Sequence, residues 1–502
     1  MDMEAHVLLF PWPQQGHINP MLHLASALLD AGLRVTFLHT DHNLRRLALA
    51  GASPRHPRLR QLSIPDGLPD DHPRSVGGLI ELLDSMCTAG SAAYRALLRT
   101  ESCRPDSDDA ALPPPVTCVV VDGVMPFATA VAEEMGVPAL AFRTEVACSF
   151  LAYLYVPRLL ELGETPVSSD EQVHGVPGME SFLRRRDLPR VVPKGDDDDV
   201  AVMLTIADTA AQCRKARALI LNTTASMEGP ALERIAPHMG DVFAVGPLHA
   251  MAAAAGEVEH ARQLRRREVD DDGCTAWLDG HKDRSVVYVN LGSLTMVRSE
   301  QLAELLHGLV AAGYAFLCVL RSDMVSTFVI SSSSSSSVVL QELVGEVVAE
   351  AGDRALVVEW APRDVHHILR HRAVGCFLTH AGWNSMLEAA VEGVPAVCWP
   401  FFADQQMVSR FVEAVWKTGL DMKDVCDRAV VARMIKEAME SPEMRASAQA
   451  MARQLRIDVA KGGSSSSDME RLVGFITELS AMQIGSTQVE NSSPPPPAPL
   501  AT

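Results

Sequence analysis

The sequence predicts an α/β protein with two doubly wound, Rossmann-like domains that face each other across a cleft. Short apolar runs alternate with amphipathic stretches of helical period, the pattern of a parallel sheet with helices on both faces. This alternation occurs in each half of the 502-residue chain, which is long enough for two or three domains. Ligands of such sheets bind beyond the carboxyl ends of the strands, so we expect the site in the cleft.

The first half begins with a continuous apolar strand, His6–Phe10, as expected for a strand that is buried on both faces. We predict a helix after it, with Pro20 in its first turn and Gly32 just beyond its end. A second strand follows at residues 35–38. Further along, the same pattern predicts a strand at 116–121, a helix at 125–135 and a strand at 137–142.

The second half repeats this order of elements. Gly292 and Ser293 form a turn after an apolar strand, and Gly313 closes a helix over Ser299–Ala312. We therefore predict a second parallel sheet. Its strands cover residues 286–291, 315–320, 356–358, Val374–Thr379 and 394–399.

Changes in composition suggest the domain boundaries. An alanine run followed by charged residues marks 249–283 as a linker between a first domain, 1–248, and a second domain, 284–460. We expect a C-terminal helical segment at 461–482. The proline-rich end of the chain predicts a disordered tail at 483–502.

Charge and cysteine usage exclude several classes of partner. The formal net charge of −19 argues against nucleic acid and anionic membranes. Ten cysteines are scattered without a C-x-x-C pair, which is typical of a reducing compartment. The acidic start and the lack of an apolar stretch of about 20 residues predict neither a signal peptide nor a membrane span. We expect a cytoplasmic monomer, and we interpret the aspartate runs at 196–199 and 270–272 as solvated loops without metal.

Residues 360–405 carry the most informative motif of the chain. An apolar strand ends at His380, a glycine turn follows, and Asn384 and Ser385 open a helix. A helix N-terminus offers N–H groups without intrahelical partners and the positive end of the helix dipole, which suits a phosphate. This arrangement predicts a nucleotide-phosphate site.

The same stretch resembles the signature segment of the plant family 1 UDP-sugar-dependent glycosyltransferases. The resemblance rests on Trp360-Ala361-Pro362, on the run at 374–385 and on the later Gly393-Val394-Pro395. It implies the GT-B arrangement of two facing domains, with UDP-glucose as the co-substrate and no other cofactor. The partners are then a UDP-sugar donor, bound by the second domain, and a small-molecule acceptor, bound by the first.

The resemblance also implies a donor-binding set. Its members are Trp360 on the uracil with Ala361 and Arg363 beside it, Ser293, His380, Asn384 and Ser385 at the diphosphate, Glu388 at the ribose, and Trp383, Asp404 and Gln405 at the sugar. A terminal Gln in this segment usually accompanies glucose. Arg363 stands where the family usually has Gln, and the spacing from Trp360 to His371 is two residues longer than in the family.

A catalytic pair is predicted at the carboxyl edge of the first sheet. His17 follows the first strand and Asp122 follows the strand at 116–121. Neighbouring strand ends can bring a carboxylate to an imidazole, and the carboxylate then fixes the tautomer of the ring. Members of the resembled family have a Gly-His pair in this loop and an Asp after this strand. The resemblance implies that His17 is the general base, oriented by Asp122, of a metal-free displacement that inverts configuration.

Each of these residues also has a purely structural interpretation. Ser385 and Glu388 have the spacing of a helix capping box. Trp383 could be a core aromatic residue, and His17 could cap a helix.

A dinucleotide-dependent oxidoreductase would need Gly-x-Gly-x-x-Gly after a strand, and neither half offers it. A non-catalytic UDP-sugar-binding protein and a transferase for another UDP-sugar are the alternatives that stay open.

The acceptor is expected to contact the first domain. Residues 143–157 and 79–98 are rich in Leu, Ala, Phe and Tyr, which suits a flat lipophilic molecule. Arg143 and Glu145 are the predicted acceptor-binding residues: they either neutralise each other, or Arg143 binds an acidic group of the acceptor. We expect an inverting UDP-glucose-dependent O-glucosyltransferase for a small lipophilic plant metabolite with a hydroxyl or carboxyl group, such as a terpenoid, flavonoid, phenolic or hormone.

Overall fold

A computed structural model describes most of the chain. The described residues are 5–49, 56–72, 74, 78–102, 114–165, 169–190, 197–254, 273–326, 336–359, 365–423 and 425–492. Their strands, in chain order, are β1 (His6–Phe10), β2 (Arg34–Thr40), β3 (Leu59–Ile64), β4 (Cys118–Asp122), β5 (Ala139–Arg143), β6 (Ala218–Leu221), β7 (Asp241–Ala244), β8 (Val286–Asn290), β9 (Val297–Arg298), β10 (Ala315–Val319), β11 (Val325–Ser326), β12 (Ala355–Val358), β13 (Val374–Thr379), β14 (Ala396–Cys398) and β15 (Gly419–Asp421).

Two parallel sheets confirm the predicted fold class. The first sheet has the order β3-β2-β1-β4-β5-β6-β7, and the second has the order β12-β10-β8-β13-β14-β15. The strand order reverses between β1 and β4 in the first sheet and between β8 and β13 in the second, and both of these pairs are parallel. Such reversal points open the crevices in which doubly wound sheets bind ligands.

Helices connect the strands over the faces of each sheet, as parallel pairing requires. In chain order they are α1 (Gln15–Asp30), α2 (Asp41–Leu49), α3 (Leu79–Ser85), α4 (Ser91–Ser102), α5 (Pro126–Glu134), α6 (Ala147–Leu154), α7 (Val156–Glu161), α8 (Asp197–Gln212), α9 (Ala225–Ile235), α10 (Leu248–Ala254), α11 (Cys274–Asp279), α12 (Ser299–Ala312), α13 (Ser336–Ala351), α14 (Val365–Leu369), α15 (Trp383–Glu392), α16 (Gln405–Ala414), α17 (Arg428–Glu440), α18 (Pro442–Val459) and α19 (Ser464–Ser492). A π-helical turn, Met86–Gly90, joins α3 to α4.

Some element boundaries follow the sequence prediction to the residue and others do not. The helix α12 is confirmed and ends at Gly313, whose φ of 83° suits a glycine cap. By contrast, α1 begins at Gln15, so Pro20 lies inside the helix and not in its first turn. The run at 196–199 is not a loop throughout, because α8 begins at Asp197; acidic residues favour a helix N-terminus. The run at 270–272 lies outside the described residues.

The final helix returns to the first sheet. Met469, Leu472 and Ile476 of α19 belong to the same hydrophobic core as β1 and β2, and Thr117 Oγ1 lies 2.8 Å from Ser480 Oγ. The helix extends to Ser492, ten residues into the predicted disordered tail, since no proline interrupts it before Pro494. Residues 493–502 lie outside the described residues, as do residues 255–272 of the proposed linker. Where the chain is described, none of its helices has the length and apolar character needed to cross a membrane.

A buried ionic cluster fastens the first domain to the second. Asp187 is fully buried, and its carboxylate lies 2.9 Å from Arg184 Nε and 2.6 Å from Lys423 Nζ. Arg184 also reaches Asp421 at 3.1 Å. Burial alone would raise the pKa of Asp187, but Arg184 and Lys423 hold it below its ordinary value. A buried carboxylate with several cations becomes costly as soon as one partner is removed.

We predict that Asp187→Ala lowers the free energy of unfolding by about 3 kcal/mol, because it leaves the buried Lys423 and the partly buried Arg184 with Asp421 as their only shared carboxylate. Chemical denaturation of the variant and the wild type measures this difference. The matched control is Asp170→Ala, which removes an exposed partner of Arg184 and should cost less than about 1 kcal/mol. Equal effects of the two substitutions would contradict a stabilising role for the buried cluster.

Candidate active site

The pairing of β1 with β4 brings His17 and Asp122 together. His17 Nδ1 lies 2.8 Å from Asp122 Oδ2; the carboxylate is fully buried, while the imidazole is 23% exposed. His17 is the third residue of α1 and makes no helix-capping bond, because the cap position is Gln14. The helix-cap interpretation of His17 is therefore wrong, and its ring is free to face the cleft.

Asp122 is held as a carboxylate by backbone donors. Trp12 N–H and Val124 N–H each donate to its oxygens at 3.2 Å. Burial alone would raise the pKa of Asp122, but His17 and these two N–H groups hold it below its ordinary value. An ionised carboxylate can only accept a hydrogen bond, so His17 Nδ1–H donates to it and Nε2 is the ring nitrogen left for a substrate. Thr144 Oγ1 lies 3.1 Å from the same Nδ1.

The second reversal point, between β8 and β13, places His380 beside two glycines. A Cβ atom added at Gly292 would lie 2.5 Å from His380 Nε2, and one added at Gly382 would lie 2.4 Å from it. Only residues without a side chain allow this approach. Burial, and secondly the charge of Arg321, lower the pKa of His380 to about 4. The ring is therefore neutral near pH 7 and offers one N–H donor.

Arg321 fixes the loop after β8, and sequence reasoning missed it. The guanidinium is 5% exposed and donates to the carbonyl of Gly292 and, at 3.1 Å, to that of Thr295. Ser293 lies exposed between these two anchored carbonyls. The available signal was the position of an arginine two residues after the end of β10, at the carboxyl edge of the second sheet.

The helix α15 begins one residue earlier than the motif suggested. Its cap is Gly382, which has no side chain to accept a bond, and Ser385 is its third residue. The capping-box interpretation of Ser385 and Glu388 is therefore wrong. The first turn contains Asn384 and Ser385, and its backbone N–H groups have no intrahelical acceptors. This turn follows Ala381, whose φ of 62° is uncommon for a residue with a side chain.

The side chain of Trp383 lies buried in the contact between the two domains. It is 3% exposed, donates from Nε1 to the carbonyl of Asn222 at 2.9 Å and lies 6.0 Å from the ring of Trp416. The core-aromatic interpretation is right for this residue, because its indole fills the contact between the domains. Its backbone N–H still belongs to the first turn of α15. Trp360, Ala361 and Arg363 lie outside the described residues.

Two members of the donor set contact the first domain across the cleft. Asn384 Nδ2 donates to the carbonyl of Gly16 at 2.8 Å. Pro20 has no N–H to bond this carbonyl four residues earlier in α1, which leaves it to the asparagine. On the other side, Val146 N–H donates to Asp404 Oδ2 at 3.3 Å. The two domains therefore meet around the loop that carries His17.

The end of the signature segment has a fixed orientation. Gln405 is 4% exposed, and its side-chain oxygen accepts from the N–H groups of Phe401 and Phe402 at 2.9 and 3.2 Å. Burial, and secondly the charge of Glu145, raise the pKa of Asp404 to about 7. The carboxyl group of Asp404 therefore loses its proton less readily than that of an exposed aspartate.

Arg143 is placed differently from the acceptor-binding prediction. It is 1% exposed, and its guanidinium contacts Glu145 Oε1 at 2.6 and 2.7 Å, Thr209 Oγ1 at 3.2 Å and the ring of Phe150 at 5.4 Å. The expectation that Arg143 itself binds an acidic acceptor is wrong in this packing, because Glu145 already occupies its fork. The neutralising interpretation is the one that the contacts support.

A glycine turn and helix start at the edge of one sheet, joined by Asn384 and Gly16 to the loop of a histidine–aspartate pair at the edge of the other, are the arrangement expected of a transferase that uses a nucleotide-linked donor. Among the described residues, no group of three or more His, Cys, Asp or Glu side chains could hold a metal ion.

Comparison with known proteins identifies the family. Residues 268–452 match the model of the UDP-glucuronosyl and UDP-glucosyl transferases. The chain is 39% identical to the 7-deoxyloganetic acid glucosyltransferase of Catharanthus roseus, over 95% of this chain and 98% of that protein. It is 40% identical to the myricetin 3-O-rhamnoside 1,2-glucosyltransferase of Crocosmia x crocosmiiflora, over 97% and 98% of the two chains. The chain therefore belongs to the family 1 UDP-glycosyltransferases and is a hexosyltransferase.

Solved structures agree with this assignment. The crystal structure of a UDP-glucose: anthocyanidin 3-O-glucosyltransferase with UDP superposes with a TM-score of 0.78, at 24% identity, over 95% of this chain and all of that one. The UDP complex of Os79 from O. sativa superposes with a TM-score of 0.72, at 26% identity, over 94% of this chain and all of that one. The predicted GT-B fold is confirmed.

We predict that Gly382→Ala weakens UDP binding at least about tenfold, because the new Cβ would displace His380 from a hydrogen bond to a charged group. The φ of −62° at Gly382 permits alanine, so the backbone need not change. Titration calorimetry with UDP measures the effect. Gly474→Ala is the control, since nothing lies within 4 Å of its added Cβ. An unchanged affinity in Gly382→Ala would remove His380 from the phosphate site.

Proposed function

We propose that this enzyme is an inverting UDP-glucose-dependent O-glucosyltransferase that acts on a small, lipophilic, hydroxyl-bearing plant metabolite. The observation that carries the proposal is the hydrogen bond between His17 and Asp122, which lies at the reversal point of one sheet and faces the phosphate turn of the other. The contact of Asn384 with Gly16 holds these two parts at one cleft. One acceptor and one UDP-glucose molecule can therefore contact both the general base and the phosphate turn at the same time.

In this proposal His17 Nε2 takes the proton of the acceptor hydroxyl. The acceptor oxygen forms a bond to the anomeric carbon from the face opposite UDP, and the bond from that carbon to the UDP oxygen breaks. Asp122 stabilises the imidazolium that forms, and it does not itself take the proton. One displacement of this kind inverts the configuration of the anomeric carbon.

The negative charge that develops on UDP needs donors already in place. The N–H groups in the first turn of α15, the neutral ring of His380 and the side chains of Asn384 and Ser385 supply them, together with Ser293 on the anchored loop. We assign the uracil to Trp360, flanked by Ala361 and Arg363, and the ribose to Glu388, as the family resemblance implies. These donors make a bound metal ion unnecessary, so activity should persist in EDTA.

The acceptor class follows from the relatives and the fold. Relatives that cover most of the chain are named for 7-deoxyloganetic acid, myricetin 3-O-rhamnoside and 7-deoxyloganetin. Their names support a small oxygenated metabolite as the acceptor of this enzyme. We further propose a cytoplasmic monomer, on the strength of the net charge of −19 and the free thiols of the described cysteines.

A non-catalytic UDP-sugar-binding protein is the rival from a different class. It would need the donor residues but not an imidazole whose tautomer is set by a buried carboxylate. Incubation with radiolabelled UDP-glucose and a mixed panel of hydroxylated aglycones separates the two. We expect labelled glucosides; tight UDP binding with no product from any aglycone would favour the rival.

We predict a preference for UDP-glucose over UDP-galactose and UDP-glucuronate of at least about tenfold in kcat/KM. A wrong hydroxyl leaves a buried polar group of Asp404 or Gln405 unpaired, which costs about 1–3 kcal/mol. Gln405→Ala should reduce this preference, because it removes an amide whose orientation is fixed by Phe401 and Phe402. Gln406→Ala is the matched control, since that amide donates to the carbonyl of Pro400. Equal efficiencies with all three donors in the wild type would contradict the assignment.

A further inference from the structure

The ion pair of Arg143 and Glu145 has a buried positive end and a partly exposed negative end. Both short contacts from Arg143 go to Glu145 Oε1, at 2.6 and 2.7 Å. The side chain of Arg143 is 2% exposed, whereas that of Glu145 is 11% exposed. Thr209 and Phe150 also contact the guanidinium. The pair therefore presents its negative end towards the cleft and keeps its positive end in the core.

The neighbours of Glu145 in the chain place it beside the reacting groups. Thr144 Oγ1 lies 3.1 Å from His17 Nδ1, and Val146 N–H lies 3.3 Å from Asp404 Oδ2. Glu145 thus stands between a residue that touches the general base and a residue that touches the sugar-side carboxyl group. It is close enough to Asp404 to raise the pKa of that group, after burial.

Apart from Arg143 and His17, the titratable groups recorded around this point are acids, thiols and a phenol. Those whose interactions with Arg143, Glu145 or Asp404 the structure records are Asp122, Cys148, Tyr153, Cys213 and His17. Burial raises the pKa of Cys148 and Tyr153 above the ordinary values, so both stay neutral. Asp122 forms its own pair with His17. The cleft beside the general base is consequently lined by carboxyl groups.

We propose that Glu145 is a specificity-determining residue that selects the acceptor by its charge. Its carboxylate accepts a hydrogen bond from a neutral acceptor and repels an acceptor that carries a carboxylate near the reacting hydroxyl. This inference rests on the proposed glucosyltransferase function and narrows its substrate class to acceptors without a carboxylate near the reacting hydroxyl. It replaces the expectation that Arg143 would draw an acidic acceptor into the site.

The magnitude of the selection follows from Coulomb's law. Arg143 offsets part of the charge of Glu145. Two like charges several ångströms apart, at the effective dielectric constant of a protein surface, still repel each other enough to reduce kcat/KM about tenfold. A methyl ester removes the charge of the acceptor and keeps its shape. Glu145→Gln removes the charge of the enzyme and keeps the volume of the side chain.

The experiment compares 3-hydroxybenzoic acid with methyl 3-hydroxybenzoate, which carry the carboxyl group near the phenol that both share, and it measures glucosylation of that phenol. We expect the wild type to prefer the ester at least about tenfold in kcat/KM, and Glu145→Gln to bring the two within about threefold. Glu161→Gln is the control: it removes the acid of an exposed Arg–Glu pair and should keep the wild-type preference. Turnover of the ester by the wild type tests the proposed function separately from the selection.

Glu145→Gln leaves Arg143 buried without its partner and could unfold the protein. The double variant Arg143→Met with Glu145→Gln removes both charges, and methionine adapts to the narrow space beside Gly123. Unchanged UDP affinity shows that this variant is folded. A collapsed ester preference in the double variant supports the inference. A preference that persists in it, or a wild type that prefers the acid, overturns the inference.

Discussion

The parallel pairing of β1 with β4 is the constraint on which the active site depends. Parallel strands end at one edge of a sheet, so a loop after β1 and a residue at the end of β4 must come close to each other. Here this edge gives the 2.8 Å hydrogen bond of His17 to Asp122. The second sheet obeys the same rule, because β8 and β13 bring the Gly292 loop to His380. Two reversal points, one per sheet, thus supply the two halves of a transfer reaction.

The cleft works only if both edges are held at a fixed distance from each other, and polar contacts between the domains do this. Asn384 donates to the carbonyl of Gly16, which lacks a helical donor because Pro20 has no N–H. Asp404 accepts from the backbone N–H of Val146, next to Glu145. Farther out, the cluster around Asp187 joins the domains through buried charges. This cluster lies close in the chain to Arg190, which forms a backbone bridge with Ala403. The bridge connects the cluster to the loop that ends in Asp404. The last helix adds an apolar contact with the first sheet.

The sequence was sufficient to predict the residues that the fold itself brings together. His17 and Asp122 could be paired from strand ends alone, and His380 could be placed at a phosphate turn from one strand and one glycine. The side-chain directions of Trp383 and Arg143 could not be predicted, because they depend on what fills the space behind each residue. Trp383 finds the carbonyl of Asn222, which is 161 residues away in the chain. A motif fixes where a backbone goes, and tertiary packing decides whether the side chain faces a ligand or the core.

The central claim is that Asp122 acts in catalysis through His17, and a double-mutant cycle on kcat tests it most directly. His17→Ala should lower kcat by roughly 10²–10⁴-fold through loss of the general base, and Asp122→Asn by a smaller factor. With His17 already replaced, Asp122→Asn should cost little more, since residues that act as a unit are not additive. UDP affinity close to that of the wild type in all three variants shows that the fold is kept. Losses that multiply, or wild-type turnover of His17→Ala, would contradict the account.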